Sequence, residues 1–325
     1  GESTTFSVHL PCGKEHLKPE QINELKNEIQ IVTSEYQNPA IFLDEYESDI
    51  LKTESAIEKN KEAKILIIED NPSLLEMLTK IFETFYTVIT ASNGAEGWEK
   101  VQSEHPNLIL SDVIMPKLSG TELCKLIKEN LDTCHIPVIL LTAQTAIEHN
   151  LEGLRIGADD YITKPFNINI LLSRCNNLVN NRIMLQEKFS KQPQATPQIL
   201  ATNILDKAFI DQAMKIIEQH LDDTNFNVDI FAREMSIART KLFNKLKDIT
   251  GQTPYEFIIT VRLKRAAFML KNNPELNISE IADHLGFSSP RQFTKSFKAK
   301  FHVIPQVYRK GEIYNNKEDE AAEEE

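Results

Sequence analysis

Between Lys64 and Phe189 short apolar runs alternate with stretches whose apolar residues recur three and four positions apart. A continuous Val/Ile/Leu-rich run bounded by polar residues reads as a strand buried on both faces, and the 3.6-residue spacing reads as an amphipathic helix. The runs predict strands over 64–69 (KILIIE), 86–91 (YTVITA), 107–111 (NLILS), 137–142 (PVILLT) and 158–162 (ADDYI), with helices over 72–84, 94–104, 119–130, 145–155 and 167–189. Five βα units predict one α/β domain over 63–189, a doubly wound five-stranded parallel sheet whose ligands bind beyond the carboxyl ends of the strands. Residues 190–204 carry two prolines and little periodicity and read as a linker. The pattern over 205–311 is entirely helical, and 226–251 and 278–302 each give a helix, a short turn and a second helix. An acidic low-complexity tail, expected to be solvated, fills 312–325.

Charge sharpens this division. The 325 residues carry a net −12, yet 226–311 hold 15 Lys and Arg against 7 Asp and Glu, a local +8, whereas 1–63 stand at −7 and 64–188 at −5. One basic module inside an acidic chain is what a DNA-binding domain requires. The four cysteines form no CxxC pair, so reduced packing residues in a cytosolic compartment are expected rather than disulfides or zinc. No apolar run reaches the roughly 18 to 20 residues of a membrane helix, so no membrane contact is expected of this segment.

The acids of interest fall at predicted strand ends. The first strand ends in Glu69-Asp70 and the third runs into Asp112, so the sheet should gather three carboxylates at one edge. Like charges about 4 Å apart repel by roughly 4 kcal/mol per pair at an effective dielectric near 20, so a cation is required. Oxygen ligands with open coordination favour Mg²⁺. Thr142 at the fourth strand end and Lys164 after the fifth add a hydroxyl and an ammonium, a constellation for phosphoryl transfer with a carboxylate as nucleophile. Singly, Asp112 is as well explained as a helix-capping acid and Lys164 as a surface lysine; five aligned strand ends tip the reading. A Mg²⁺-dependent hydrolase would also use a strand-end Asp, but the first strand here lacks a DxD.

In order and spacing, "LIIEDN", "SDVIMPKLSG", "LLTA" and "DDYITKPF" resemble the motif set of a two-component receiver domain, flavodoxin-like in fold. By that resemblance Asp112 is the phosphoacceptor. Asp70, Asp112 and the Ile114 backbone carbonyl are then Mg²⁺ ligands, and Glu69 acts through water. Thr142 and the Ala143 amide hold phosphoryl oxygens, Lys164 pairs with the phosphoryl group, Tyr161 is the switch aromatic, and the Lys164-Pro165 bond is cis.

In the basic module Phe293, Phe297 and Phe301 repeat every four residues, leaving Arg291, Gln292, Thr294, Lys295 and Lys298 outward, with Ser289 as N-cap and Pro290 at the first helical position. A basic, polar outer face suits the major groove, and a solvated charged face is the plainer explanation of either helix alone. Two such units joined by a helix carrying Arg262, Lys264 and Arg265 favour DNA. "GQTPYEFIITVRLKRAAFML" and "IADHLGFSSPRQFTKSFKAKF" resemble the AraC-type DNA-binding domain over about 205–310. The resemblance puts Arg239, Thr240, Lys241, Phe243 and Asn244 of the first unit, and Arg291, Thr294 and Lys295 of the second, against DNA. Three positions depart from the family: Ala238 replaces the usual hydroxyl N-cap, His302 the usual Gly, and Ile304 the usual Thr or Ser.

Residues 1–13, with Phe6, Val8 and Leu10 alternating, resemble the last strand of a histidine-kinase ATPase domain, and 14–62 are an acidic connector without a functional argument. Together with the absent initial Met, this implies a piece of a hybrid sensor, its full-length parent a sensor histidine kinase anchored in the inner membrane, of a kind that suggests control of carbohydrate-use genes. The chain has no nucleotide-binding boxes or kinase histidine motif, so its own chemistry is limited to phosphoryl transfer onto Asp112. The expected function is a phosphorylation-controlled transcription regulator. Its partners are promoter DNA, a histidine-kinase domain of the same parent and a second copy through the helix bearing Leu171, Cys175, Leu178, Arg182, Leu185 and Phe189, whose first half is equally well explained by core packing. The alternative is a DNA-binding regulator, insensitive to phosphorylation, whose α/β domain only dimerises or binds an effector.

Overall fold

Burial on both faces makes the first apolar run, β1 (Lys64–Ile68), a central strand: Ile65, Leu66, Ile67 and Ile68 are fully buried. A computed structural model describes residues 60–143 and 157–311, all within one compact unit of the chain, 49–325. The predicted helix 145–155, the strand and connector before residue 60, and the tail lie outside the described residues. Strands β2 (Thr87–Ala91), β3 (Leu108–Asp112), β4 (Val138–Ala143) and β5 (Asp160–Lys164) complete a sheet of order β2-β1-β3-β4-β5, every pair parallel. The last strand lies two residues later than its pattern suggested. Asp159 accepts from the Val138 amide (2.8 Å) and pairs with Lys128 (2.6 Å), tying the approach to the strand from outside it.

Helix starts follow local chemistry. Asn71 caps α1 (Pro72–Phe82), Asn93 caps α2 (Gly94–Glu104), Ser119 and Glu122 form a capping box on α3 (Gly120–Glu129), and Asn167 caps α4 (Ile168–Lys191). The first residue of α3 has to be glycine, because a Cβ there would lie 1.9 Å from the Asp112 carbonyl oxygen. Expected contacts are present: Cys124, Cys134 and Cys175 are free and buried, and Lys164-Pro165 is cis.

The basic region folds as α5 (Ile204–Gln219), α6 (Val228–Glu234), α7 (Arg239–Thr250), α8 (Pro254–Asn272), α9 (Ile278–His284), α10 (Pro290–Phe301) and α11 (Pro305–Lys310). One core gathers Phe209, Phe231, Leu242, Leu246 and Phe257, and a second gathers Leu263, Leu285, Phe287, Phe293 and Phe297. α8 contributes to both. The segment read as a linker is laid on this module: it holds a short 3₁₀ turn, Pro197–Leu200, and Leu200 is buried in the first core beside Phe189 from α4. Hence Phe189 and Leu185 of the second half of α4 pack into the next domain, while Ile183 and Met184 stay exposed.

Candidate functional site

Parallel order delivers the predicted acids to one edge. Glu69 follows β1 and is 2% exposed, Asp70 beside it is exposed, and Asp112 is the last residue of β3. One ligand oxygen from each lies within 4.8 Å of the others, a spacing that suits a hard cation. The Lys164 ammonium, at the end of β5, donates to Asp112 Oδ2 and to Glu69 Oε2, both at 2.8 Å. Asp112 Oδ1 accepts from the Val113 amide at 2.7 Å. Burial raises the Glu69 carboxyl above its ordinary value against the lowering pull of Lys164. Burial also draws Lys164 down, but its hydrogen bonds and charge pairing with Asp112 and Glu69 outweigh that and hold it above its usual value.

The other predicted residues fall around this pair. Thr142 is 4% exposed in β4, one step beyond Leu141, which pairs in register with Asp112, and Ala143 pairs with Lys164. Tyr161 pairs with Leu140, which shares the face of Thr142 one pleat back, and packs half-buried against the core. Ile114 is 68% exposed just past β3, where its carbonyl can line the edge. Oxygen-only donors around an ammonium fit a Mg²⁺ ion better than zinc, which prefers nitrogen and sulfur.

In the helical module α6 with α7, and α9 with α10, form the two expected pairs. On α10, Arg291 and Lys295 are exposed and Thr294 is half-buried, and together with Lys298 they line an open groove. Ser289 caps this helix and His302 closes it at φ 58°, as its position demanded. On α7, Arg239, Thr240, Lys241 and Phe243 are exposed and Asn244 is half-buried, and Ala238 gives the helix no side-chain cap. Two of the three cations assigned to the joining helix belong to the interior instead. Arg262, 4% exposed, donates to the carbonyls of Gly286, His220 and Asp223, and Lys264 donates to those of Gln192 and Ala195.

Motif reading did not find a buried polar junction between the two domains. Lys245 on α7 and Asp206 on α5 pair at 2.7 Å while almost wholly buried, and Lys245 also reaches Cys134 Sγ and His135 Nδ1 at 3.3 Å. Its signal was a lysine among Leu242, Leu246 and Ile249 on an apolar face.

Residues 65–176 match the family of the response regulator receiver domain, and 231–311 match a helix-turn-helix domain. The chain joins a response-regulator receiver to a helix-turn-helix domain. The helix-turn-helix match covers the region whose motifs resemble the AraC type. Over 307 residues, 94% of its length, the chain is 39% identical to "Histidine kinase P4" of Formosa agariphila, of which it spans 22%. Its receiver is 34% identical to part of "Hybrid signal transduction histidine kinase D" of Dictyostelium discoideum, over 39% of this chain and 8% of that protein. It is 42% identical over 32% of this chain to the "Alkaline phosphatase synthesis transcriptional regulatory protein PhoP" of Bacillus subtilis, covering 42% of it. The chain thus spans less than half of each of these relatives. No described helix is long and apolar enough to cross a membrane.

Proposed function

We propose that the receiver accepts a phosphoryl group on Asp112 from a phosphohistidine of a histidine-kinase domain, and that the aspartyl phosphate changes how the two helix-turn-helix units bind promoter DNA. The observation that carries this is Lys164 gripping Asp112 Oδ2 and Glu69 Oε2 at 2.8 Å, beside the exposed Asp70. An Asp112 carboxylate oxygen forms the new bond to phosphorus as the phosphorus–nitrogen bond of the donor breaks and the imidazole leaves. Glu69, Asp70, Asp112 and the Ile114 carbonyl would hold Mg²⁺, whose charge would offset that of the phosphoryl oxygens. Thr142 and the Ala143 amide receive phosphoryl oxygens, and Lys164 shifts from the carboxylates toward the group. Tyr161, on the face of Thr142, carries the change along the sheet. Arg239, Thr240, Lys241, Phe243 and Asn244 read one groove segment and Arg291, Thr294 and Lys295 the next.

The same reading places the chain in the cytoplasm as part of a membrane-anchored sensor kinase that supplies the phosphohistidine, with two copies pairing on DNA. Incubation with Mg²⁺ and an acyl phosphate, followed by intact-mass measurement beside Asp112→Asn, tests the chemistry. A single phosphoryl adduct on the parent, absent from the variant and absent without Mg²⁺, is the expected result. Lack of an adduct with every donor would leave a DNA-binding protein whose α/β domain only scaffolds it.

A further inference from the structure

Residues 193–197, in the segment that joins the two domains, form one wall of a cavity of about 440 Å³. Met214 of α5 and Val261 and Phe268 of α8 form the others, and two cations of α8, Lys264 and Arg265, complete the lining. Concave spaces of roughly 300–1,000 Å³ with apolar walls and a few convergent polar groups are where proteins hold small molecules. Phe268 is 53% exposed, and the Arg265 guanidinium lies 5.1 Å from the centroid of its ring.

Neither cation has an acid to balance it. Lys264 lies half-buried 4.7 Å from the Phe189 ring centroid and donates to the carbonyls of Gln192 and Ala195, which occupy two of its three N–H groups. Among the described residues, no carboxylate forms an ion pair with it or with Arg265. Burial, and then the like charge of Lys300, draw the Lys264 ammonium down to about 8. Glu218 of α5 is the carboxylate on the cavity wall; it is exposed and pairs with neither cation. The lining therefore carries a net +1 beside its apolar side chains.

We propose that this cavity binds a small organic monoanion, a carboxylate carried on an aromatic or branched hydrocarbon body. Lys264 and Arg265 hold the carboxylate, and Pro197, Met214, Val261 and Phe268 cover the body. A net +1 suits one carboxylate better than a phosphate dianion, and apolar walls give an inorganic ion nothing in place of its water. At about 30 Å³ per water the cavity has room for on the order of fifteen waters, so a ligand of roughly ten non-hydrogen atoms fits. The site lies apart from Asp112 and does not depend on the phosphorylation reading. Lys264 already ties residues 192–195 to α8, and a ligand between that segment and α8 adds contacts to the same tie. Binding therefore holds the joining segment on the DNA-binding module, an input separate from the receiver's chemistry.

Ligand-detected NMR titration of the whole chain tests this with phenylacetate, 4-phenylbutyrate and 3-methylbutanoate as probes. The amides of the same three acids control for charge, and acetate controls for the apolar body. At least one probe should bind saturably, one per chain, and about tenfold more tightly than its amide and than acetate, the size of a charge-assisted hydrogen bond. Arg265→Gln should weaken that probe about tenfold and Phe268→Ala about threefold; both positions are exposed, so the melting temperature of the free chain should hardly move. Lys264→Gln should weaken it at least as much as Arg265→Gln. Asp112→Asn should bind it as the parent does, which separates this site from the phosphoryl chemistry. Failure of all three probes to saturate overturns the proposal, as does binding that none of the Lys264, Arg265 and Phe268 variants weakens. Equal affinity for each acid and its amide overturns the anion site. Displacement of the probe by a random-sequence 30-base-pair duplex also overturns it, because Lys264 and Arg265 would then be phosphate contacts.

Discussion

Lys164 is the counter-ion of two carboxylates at once, and one of them, Glu69, is almost without solvent. Removing its charge strands Glu69 in the edge of the sheet. Breaking a buried pair costs about 3–5 kcal/mol, and the partial exposure of Lys164 discounts that to about 2. Lys164→Met should therefore lower the receiver's melting temperature, and Mg²⁺ should restore more of it than in the parent, because a cation among Glu69, Asp70 and Asp112 replaces the lost ammonium. Melting curves with and without Mg²⁺ check this; a loss indifferent to Mg²⁺ would mean that the cluster takes no ion. These residues were legible because a parallel sheet sends every strand's carboxyl end to the same edge, so Glu69, Asp70, Asp112, Thr142 and Lys164 could be brought together from their places in four runs. Lys245, Asp206, Cys134 and His135 were not. They come from distant segments and two domains: Asp206 on α5 pairs with Lys245 within the module, and only the docking of the receiver adds Cys134 and His135 beside that buried pair.

Single elements carry weaknesses and constraints that can be measured separately. α7 begins at Ala238, whose extended backbone (φ −62°, ψ 143°) already has cap geometry but offers no oxygen to the free amides of the first turn. Ala238→Ser should stabilise the module by about 1 kcal/mol, read as a shift in its urea midpoint at constant slope. α3 shows the opposite case. Gly120→Ala would press a Cβ into the Asp112 carbonyl oxygen, and should cost about 1–3 kcal/mol and slow adduct formation by displacing the end of β3. Normal stability with normal phosphorylation would show that the contact relaxes freely. Helix starts were readable from Asn71, Asn93, Ser119 and Asn167 because caps are local chemistry. The register of β5 and the fate of α4 were less so. The first depended on Asp159 being held by Val138 and Lys128, and the second on Phe189 finding a core in the next domain rather than in a second copy.

For the molecule as a whole, the junction couples receiver and DNA-binding module through a histidine that must stay neutral. His135 is 6% exposed, and burial above all, then the charges of Lys245, Arg182, His105 and Lys128, hold it well below its ordinary 6.5. Undocking returns it to water, where it titrates near 6.5, so the undocked state binds more protons throughout the interval below that value. Docking is therefore complete above about pH 6.5 and weakens as pH falls, by about tenfold for each unit until the docked histidine itself is protonated. Asp248, 3.5 Å from His135 Nε2, has a carboxyl raised by burial and so pulls the other way near the acid end, since its docked form holds a proton the more readily. Hydrogen exchange of the α7 amides, corrected for the intrinsic effect of pH, should show protection falling about fivefold between pH 6.5 and 5.5 in the parent. In His135→Gln, which carries no titrating group there, protection should hardly change over the same interval. Equal losses in both proteins would mean that the junction opens for a reason other than His135, and an unchanged parent would mean that the two domains stay docked with the imidazole protonated.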